Sequence, residues 1–383
     1  MCARLRVLEL GKYYPPYRGG MESHLRMLCD ALRAEVDLTV LVAATGVRTS
    51  ETLVDGVRVI RTGAVGRLCS VPICLSLPFL VSRIPADLVH IHVPNPAAIL
   101  AYFAAAARKP LVISYHSDTV RQPILARIFS PILDRALRRA AAIICTSPQY
   151  RDSSPGLVGH QERCHVIPLA IDPEPLERAE PEAIAAIRSR FGPRILLAVG
   201  RLVYYKGFEY LIQSMRKVTA HLLIIGRGPL RVALGRQALQ YGVADKVTFL
   251  GEVDDLAPYY HAADVFILPS IVRTEAFGVV QLEAMACGKP VINTHLDSGV
   301  PFVSIDGETG LTVPTADSGA LAGAINLLLQ EPGLRHQFGV AARQRVLTHF
   351  NPKTMVASTL RVFEIAMSQH RLNESARLAR PVS

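Results

Sequence analysis

Short apolar runs recur along this chain. Each is followed by a polar or glycine-containing loop and then by a stretch with helical spacing. Residues 5–10, 36–42, 57–61, 87–93, 111–115, 142–146 and 164–167 form such runs in the first half. Residues 194–199, 222–225, 247–250, 265–268, 291–293 and 311–314 form them in the second. Such runs, three to seven residues long and bounded by turn signals, read as strands. Between them, residues 21–34, 97–108, 126–140 and 208–217 carry helical patterns, and from Glu331 onward the pattern is helical. Strands alternating with helices predict an α/β protein built on parallel sheets. The two halves read as two copies of one architecture.

The strongest local signal lies in residues 274–290. Glu275 precedes a turn and Glu283 sits inside a helix, with seven residues between them. Phe277, Gly278 and Val279 stand where that helix begins; Gly288 and Pro290 end it. A helix start offers unpaired N–H groups and partial positive charge, which suit a phosphate. Gly278 lets a phosphate approach the backbone. From Val279 to Glu283 the helix rises about 6 Å, at roughly 1.5 Å per residue. The two carboxylates could therefore grip groups on either side of a diphosphate, the layout of a sugar nucleotide. A surface helix with two solvated glutamates fits the same residues.

Other chemistry falls on loops after strands, where α/β sheets bind ligands. The first strand runs into a loop holding Arg18, Gly19 and Gly20, a phosphate-loop candidate without the G-x-G-x-x-G spacing. Arg201 and Lys206 share the loop after residues 194–199 and together make an anion clamp, Arg by paired N–H groups and Lys by a point charge. His116 ends a strand and is placed to face a ligand. His90 and His92 share one strand face; no third metal ligand lies near in sequence, so a wall or core role is expected. Gly226 and Gly228 make a weak G-x-G fragment. Residues 66–85 are apolar, broken by Pro72 and Pro78 and flanked by Arg67 and Arg83; they fit either a membrane-dipping surface or a buried helix-loop. The helix 126–140, with Arg127, Arg135, Arg138 and Arg139, fits a solvated face or contact with anionic lipid.

Composition narrows the picture. With 383 residues, half of them apolar, the chain can bury two domain cores. A formal charge of +10 favours an anionic partner. The absence of Trp and of basic runs excludes a base-stacking nucleic-acid surface as the main expectation. The seven cysteines, Cys2, Cys29, Cys69, Cys74, Cys145, Cys164 and Cys287, include no C-x-x-C pair, so a reducing compartment is expected, with no disulfide framework or zinc site. No leader peptide or stretch of about 20 apolar residues is read, which predicts a cytoplasmic protein.

Taken together, the Gly19-Gly20 loop, GRLVYYKG, GEVDDLAPYYHAADVFILPS, the Glu275/Glu283 motif and DGETGLTVP resemble, in this order, the retaining glycosyltransferases of family four, which have the GT-B fold. The resemblance runs to about residue 366. It implies two Rossmann-like domains with parallel sheets facing an interdomain cleft. The divisions expected are an acceptor-side domain over 1–170, a linker over 171–193 and a donor-binding domain over 194–350. A helix over 351–370 would cross back to the first domain, and a flexible tail would occupy 371–383. By position, Gly19 and Gly20 would approach the donor phosphate, and Arg201 and Lys206 would stabilise the departing diphosphate. Glu275 would hold donor-sugar hydroxyls, and Phe277, Gly278 and Val279 would offer N–H groups. Glu283 would bind the ribose, Val253 the base, and His116 would lie beside the anomeric carbon. No metal or other cofactor is expected, and no nucleophile for a covalent intermediate stands out. Finer similarity is to bacterial enzymes using GDP-mannose or GDP-D-rhamnose in lipopolysaccharide and capsule synthesis, with a glycan or polyprenyl-linked acceptor at the inner membrane face. The alternatives are a nucleotide-sugar epimerase of the same fold and a non-catalytic nucleotide-sugar-binding partner; a dehydrogenase lacks its glycine fingerprint.

Overall fold

In the computed structural model, residues 4–17, 19–68, 71–118 and 123–378 are described. Arg18, Cys2 and Cys69 lie outside them. The chain divides into two compact units, one holding residues up to Leu169 together with those from Pro352, the other spanning Ala170–Asn351.

The first unit carries β1 (Arg6–Leu10), β2 (Asp37–Ala43), β3 (Ser50–Val54), β4 (Val57–Thr62), β5 (Gly66–Leu68), β6 (Val71–Ile73), β7 (Leu88–Val93), β8 (Leu111–Tyr115), β9 (Ala142–Cys145) and β10 (Cys164–Val166). Eight of these form one sheet in the order β10-β9-β8-β7-β1-β2-β4-β3, parallel except for β3 against β4. Central strands such as β7 and β8 are buried along their whole length, as a sheet covered on both faces requires. The apolar runs predicted all of this sheet but β3, whose SETLV sequence leaves four of five residues exposed. The missed signal was the Asp55-Gly56 turn, with φ of 48° and 85°, a hairpin dipeptide that folds β3 back onto β4. β5 and β6 form a separate two-stranded hairpin. The helix Pro352–Leu378 packs on the helix Gly20–Leu32. It continues through residues 371–378, so the expected loss of order does not begin at 371. Extending an existing helix avoids the nucleation barrier, and Arg371, Leu372 and Glu374 are adequate helix formers.

The second unit carries β11 (Ile195–Val199), β12 (His221–Ile225), β13 (Val247–Gly251), β14 (Val265–Leu268), β15 (Val291–Thr294) and β16 (Gly310–Val313). They form one parallel sheet in the order β13-β12-β11-β14-β15-β16. Strand order reverses between β11 and β14, a topological switch point where open α/β sheets bind ligands. Leu196, Ile212, Met215, Leu222, Ile267 and Ile325 are among the fully buried residues of its core. Residues 171–193 are not a free linker. Helices Glu174–Glu177 and Pro181–Phe191 belong to this unit, and the second packs on the helix Ala257–Ala262. The Leu176 carbonyl accepts hydrogen bonds from His261 Nε2 at 2.8 Å and Cys287 Sγ at 3.5 Å, and Arg188 pairs with Asp264 at 3.3 Å. Pro173, Pro175 and Pro181 stand at helix starts here rather than mark a spacer.

Candidate functional site

In the second unit, two loops at the switch point meet. One follows β11 and carries Arg201 and Lys206; the other follows β14 and carries Ser270 and Glu275. Gly207 takes a left-handed conformation (φ 66°, ψ 21°) and presses against the Pro269 carbonyl, an approach that a Cβ would block. The Ile271 amide donates to the Tyr205 carbonyl at 2.8 Å. This junction brings Lys206 Nζ to 2.5 Å from Glu275 Oε2, with both side chains about 10% exposed. Ser270 Oγ donates to the same carboxylate oxygen at 3.0 Å. A buried ion pair with an extra donor is held in one geometry, since losing either partner strands the other charge.

Between the two glutamates, Gly278 adopts φ 74° and ψ 58° at the start of the helix Val279–Ala286. A Cβ there would stand 2.6 Å from Leu268 Cδ2 and 2.8 Å from Gln281 Nε2, so only glycine fits. Gln281 donates to the Phe277 carbonyl at 3.1 Å and accepts from Asn293 at 3.0 Å, which fixes the turn from below. Glu283 accepts from the Tyr260 hydroxyl at 2.6 Å. Burial raises its pKa above the ordinary carboxylate value, against the hydrogen bond and the charge of nearby Lys206. The second unit thus brings Lys206, Glu275 and Glu283 around one helix N-terminus. Arg201 is exposed in the same loop as Lys206, and Val253 is half-buried in the loop after β13. Ser270, Tyr260, Gln281 and Asn293 were not singled out in the sequence. Their roles depend on which strands become neighbours.

In the first unit, Gly19 and Gly20 open the helix Gly20–Leu32. The Glu22 carboxylate lies over Gly19, and burial raises its pKa. Any anion at this N-terminus would meet that carboxylate, which the loop's glycines alone do not reveal. Gly20 faces open space.

His116 is buried after β8 and does not stand alone. His92 Nδ1 and His116 Nε2 are 2.9 Å apart, and the two rings are nearly coplanar, 8° apart with centroids separated by 5.2 Å. His92 Nε2 and Glu9 Oε2 are 2.9 Å apart, and His90 Nδ1 and Glu9 Oε1 are 3.0 Å apart. His90 Nε2 reaches Ser114 Oγ at 2.8 Å, and His24 stacks edge-on against His116 at 5.1 Å. Parallel pairing of β1, β7 and β8 sets this row, with Glu9 opposite His90 and His92 opposite Ser114. The search for a third ligand near His90 and His92 in sequence missed Glu9, His24 and His116, which arrive from other elements. His24, His92 and His116, or Glu9, His90 and His92, could offer three ligand atoms within 4.8 Å of one another. The pairwise distances are those of hydrogen bonds, and both nitrogens of His92 are engaged. Burial, followed by neighbouring imidazoles, lowers the pKa of His24 to about 3 and that of His92 and His116 below the usual imidazole value.

Residues 66–85 divide between the two readings left open. Leu77, Val81 and Ile84 are buried, whereas Leu68, Leu75 and Phe79 are 61%, 74% and 58% exposed, with Arg83 over the Phe79 ring. In the helix Pro123–Arg139, Arg135 lies over Phe103, Arg138 pairs with Asp134, and Arg139 donates to the carbonyls of Ala107 and Lys109. Those three arginines serve the fold, which weakens the lipid reading of that helix. Among the described residues, no helix is long and apolar enough to cross a membrane. The five described cysteines are free thiols.

Comparison with known proteins agrees with the fold of the two units. The family described as Glycosyltransferase Family 4 matches residues 18–175, and that described as Glycosyl transferases group 1 matches residues 180–345. The D-rhamnosyltransferase WbpZ of Pseudomonas aeruginosa is 31% identical over 347 residues, 89% of this chain and 91% of that one. The O-antigen chain mannosyltransferase C of Escherichia coli is 28% identical over 365 residues, 94% of this chain and 98% of that one. Among solved structures, sucrose-phosphate synthase from Thermosynechococcus elongatus superposes with a TM-score of 0.76 at 26% identity, covering 98% of this chain and all of the other (100%).

Proposed function

The chain belongs to glycosyltransferase family four, with the two Rossmann-like domains of the GT-B fold, and from that premise we propose a specific transfer. The protein moves a hexose, mannose or D-rhamnose, from a GDP-sugar to a glycan or polyprenyl-linked acceptor, with retained anomeric configuration. The observation that carries this reading is the buried Lys206–Glu275 pair beside the N-terminus of the helix Val279–Ala286. Lys206 and Arg201 are cations placed for a leaving diphosphate, and the helix start adds N–H donors for charge that grows during departure. Glu275, held by Ser270, takes donor-sugar hydroxyls. Glu283, oriented by Tyr260, takes the ribose. Gly278 and Val279 supply N–H groups, Phe277 shapes the turn, and Val253 meets the base through its backbone. His116 serves the neighbourhood of the anomeric carbon. These fixed cations supply the electrophilic assistance, so the reading needs no metal. Acceptor attack follows on the face the diphosphate leaves, a step that rests on positioning.

The names of the two relatives support the choice of sugar and of surface glycan. The exposed Leu68, Leu75 and Phe79 beside Arg83 support contact with an anionic membrane from the cytoplasmic side, where a lipid-linked acceptor would sit. The test is to incubate the protein with a panel of nucleotide sugars and membrane lipid extract, and to identify the nucleoside diphosphate released and the anomeric configuration of the product. GDP release with retention is expected. Interconversion of free nucleotide sugars, or an inverted product, would overturn the reading.

A further inference from the structure

The buried row Glu9–His92–His116 carries a consequence for the state of His116. Glu9 is fully buried and shares its carboxylate between His90 and His92. A carboxylate accepts hydrogen bonds only. Burial opposes its ionisation, but the two imidazoles beside it bring its pKa down to about 2, so it stays ionised. His92 must then donate from Nε2. Burial, then the charge of His90, lowers the His92 pKa, so its ring carries one proton, and Nδ1 is an acceptor. The atom 2.9 Å from that acceptor is His116 Nε2, which must therefore bear the hydrogen. His116 Nδ1 is left with the lone pair.

We propose that Glu9 and His92 are positioning residues that lock His116 in its Nε2–H tautomer, with Nδ1 presented as a hydrogen-bond acceptor to a substrate hydroxyl. The ring is fixed in plane as well as in protonation, because His92 is hydrogen-bonded to its edge and lies within 8° of its plane, and the His116 amide donates to the Val93 carbonyl at 3.1 Å. His116 thus acts as an acceptor. A neutral His116 cannot donate from Nδ1 unless both imidazoles change tautomer and the buried carboxylate is protonated. The functional half of this inference rests on the assignment of His116 to the transfer site; the tautomer itself does not.

The experiment uses the full-length protein with 15N-labelled histidine. Long-range proton–nitrogen correlation spectra read the protonation of each ring nitrogen, and His116→Gln identifies the His116 signals. The wild type should show neutral His116 with hydrogen on Nε2. Glu9→Gln puts an NH2 group where an acceptor stood, so His90 or His92 must change tautomer. The His116 pattern should shift, with kcat falling about tenfold and KM changing less than twofold. His92→Asn keeps an oxygen acceptor close to the position of Nδ1 and should retain the wild-type His116 pattern, whereas His92→Leu should lose it. This pair keeps the test open if Glu9→Gln does not fold. A wild-type His116 protonated on Nδ1 or on both nitrogens, or stoichiometric zinc bound to the row, overturns the proposal. A shifted tautomer with unchanged turnover overturns the catalytic half and the assignment of His116 to the site. An unchanged tautomer in both Glu9→Gln and His92→Leu overturns the relay while leaving that assignment intact.

Discussion

Lys206 and Glu275 form the buried ion pair at the centre of the proposed donor site. Removing one partner of a buried ion pair strands the other charge and costs about 3–5 kcal/mol. Lys206→Ala should therefore lower the denaturant midpoint markedly, and Lys206→Ala/Glu275→Ala should cost less than the sum of the single changes. Strict additivity in that cycle would contradict the pairing. The buried histidines make a second prediction. Unfolded, His24, His92 and His116 titrate near 6.5. Folded, burial holds them neutral to lower pH, His24 to about 3. Below about 6.5 the unfolded chain binds more protons than the folded one, so stability falls by up to about 1.4 kcal/mol per pH unit for each imidazole. Glu9, depressed to about 2, adds to the loss once pH drops below the ordinary carboxylate range. Urea midpoints should decline steadily from pH 7 to pH 5; a flat profile would show that the cluster is not buried and neutral. Glu275, Glu283 and Lys206 could be picked from the sequence because their spacing follows one helix and two loops. The histidine row could not, since His90 and His92 find their partners only when β1, β7 and β8 align.

At the scale of elements, the C-terminal helix Pro352–Leu378 is the instructive case. Its Met355, Val362, Phe363 and Ala366 are buried, and Phe363 meets the His90 ring edge-on at 5.4 Å. Phe363→Ala should cost about 3–5 kcal/mol through the cavity it leaves. Truncation after His370 should change the melting temperature by less than about 2 °C, because Arg371, Leu372, Glu374 and Ser375 are exposed; calorimetry on both variants decides. A large loss on truncation would mean that the helix end is held more firmly than the exposure of Arg371, Leu372, Glu374 and Ser375 indicates. Helical spacing read this element correctly up to its polar end, where low hydrophobicity suggested disorder although an existing helix extends easily. The hairpin β3–β4 was missed for the opposite reason: β3 has no buried face, so its only mark is the Asp55-Gly56 turn. The prolines of residues 171–193 suggested a spacer, but Pro173, Pro175 and Pro181 stand at the starts of helices that belong to the second unit.

For the whole molecule, the proposed contact with an anionic membrane rests on a net charge of +10 and on the exposed Leu68, Leu75 and Phe79. Leu75→Asp/Phe79→Asp should abolish flotation with phosphatidylglycerol vesicles while leaving turnover of soluble donor intact; unchanged flotation would remove these residues as the contact. The two repeated α/β units were legible from strand–helix alternation, because parallel sheets leave near-continuous apolar runs. The proposed transfer depends on the handling of a departing diphosphate. The most direct test is kcat with the identified donor for the wild type, Arg201→Ala and Lys206→Ala, at saturating substrate. Each variant should turn over about a hundredfold more slowly, the scale of one lost charge-stabilising contact. Near-wild-type kcat in both would contradict the account.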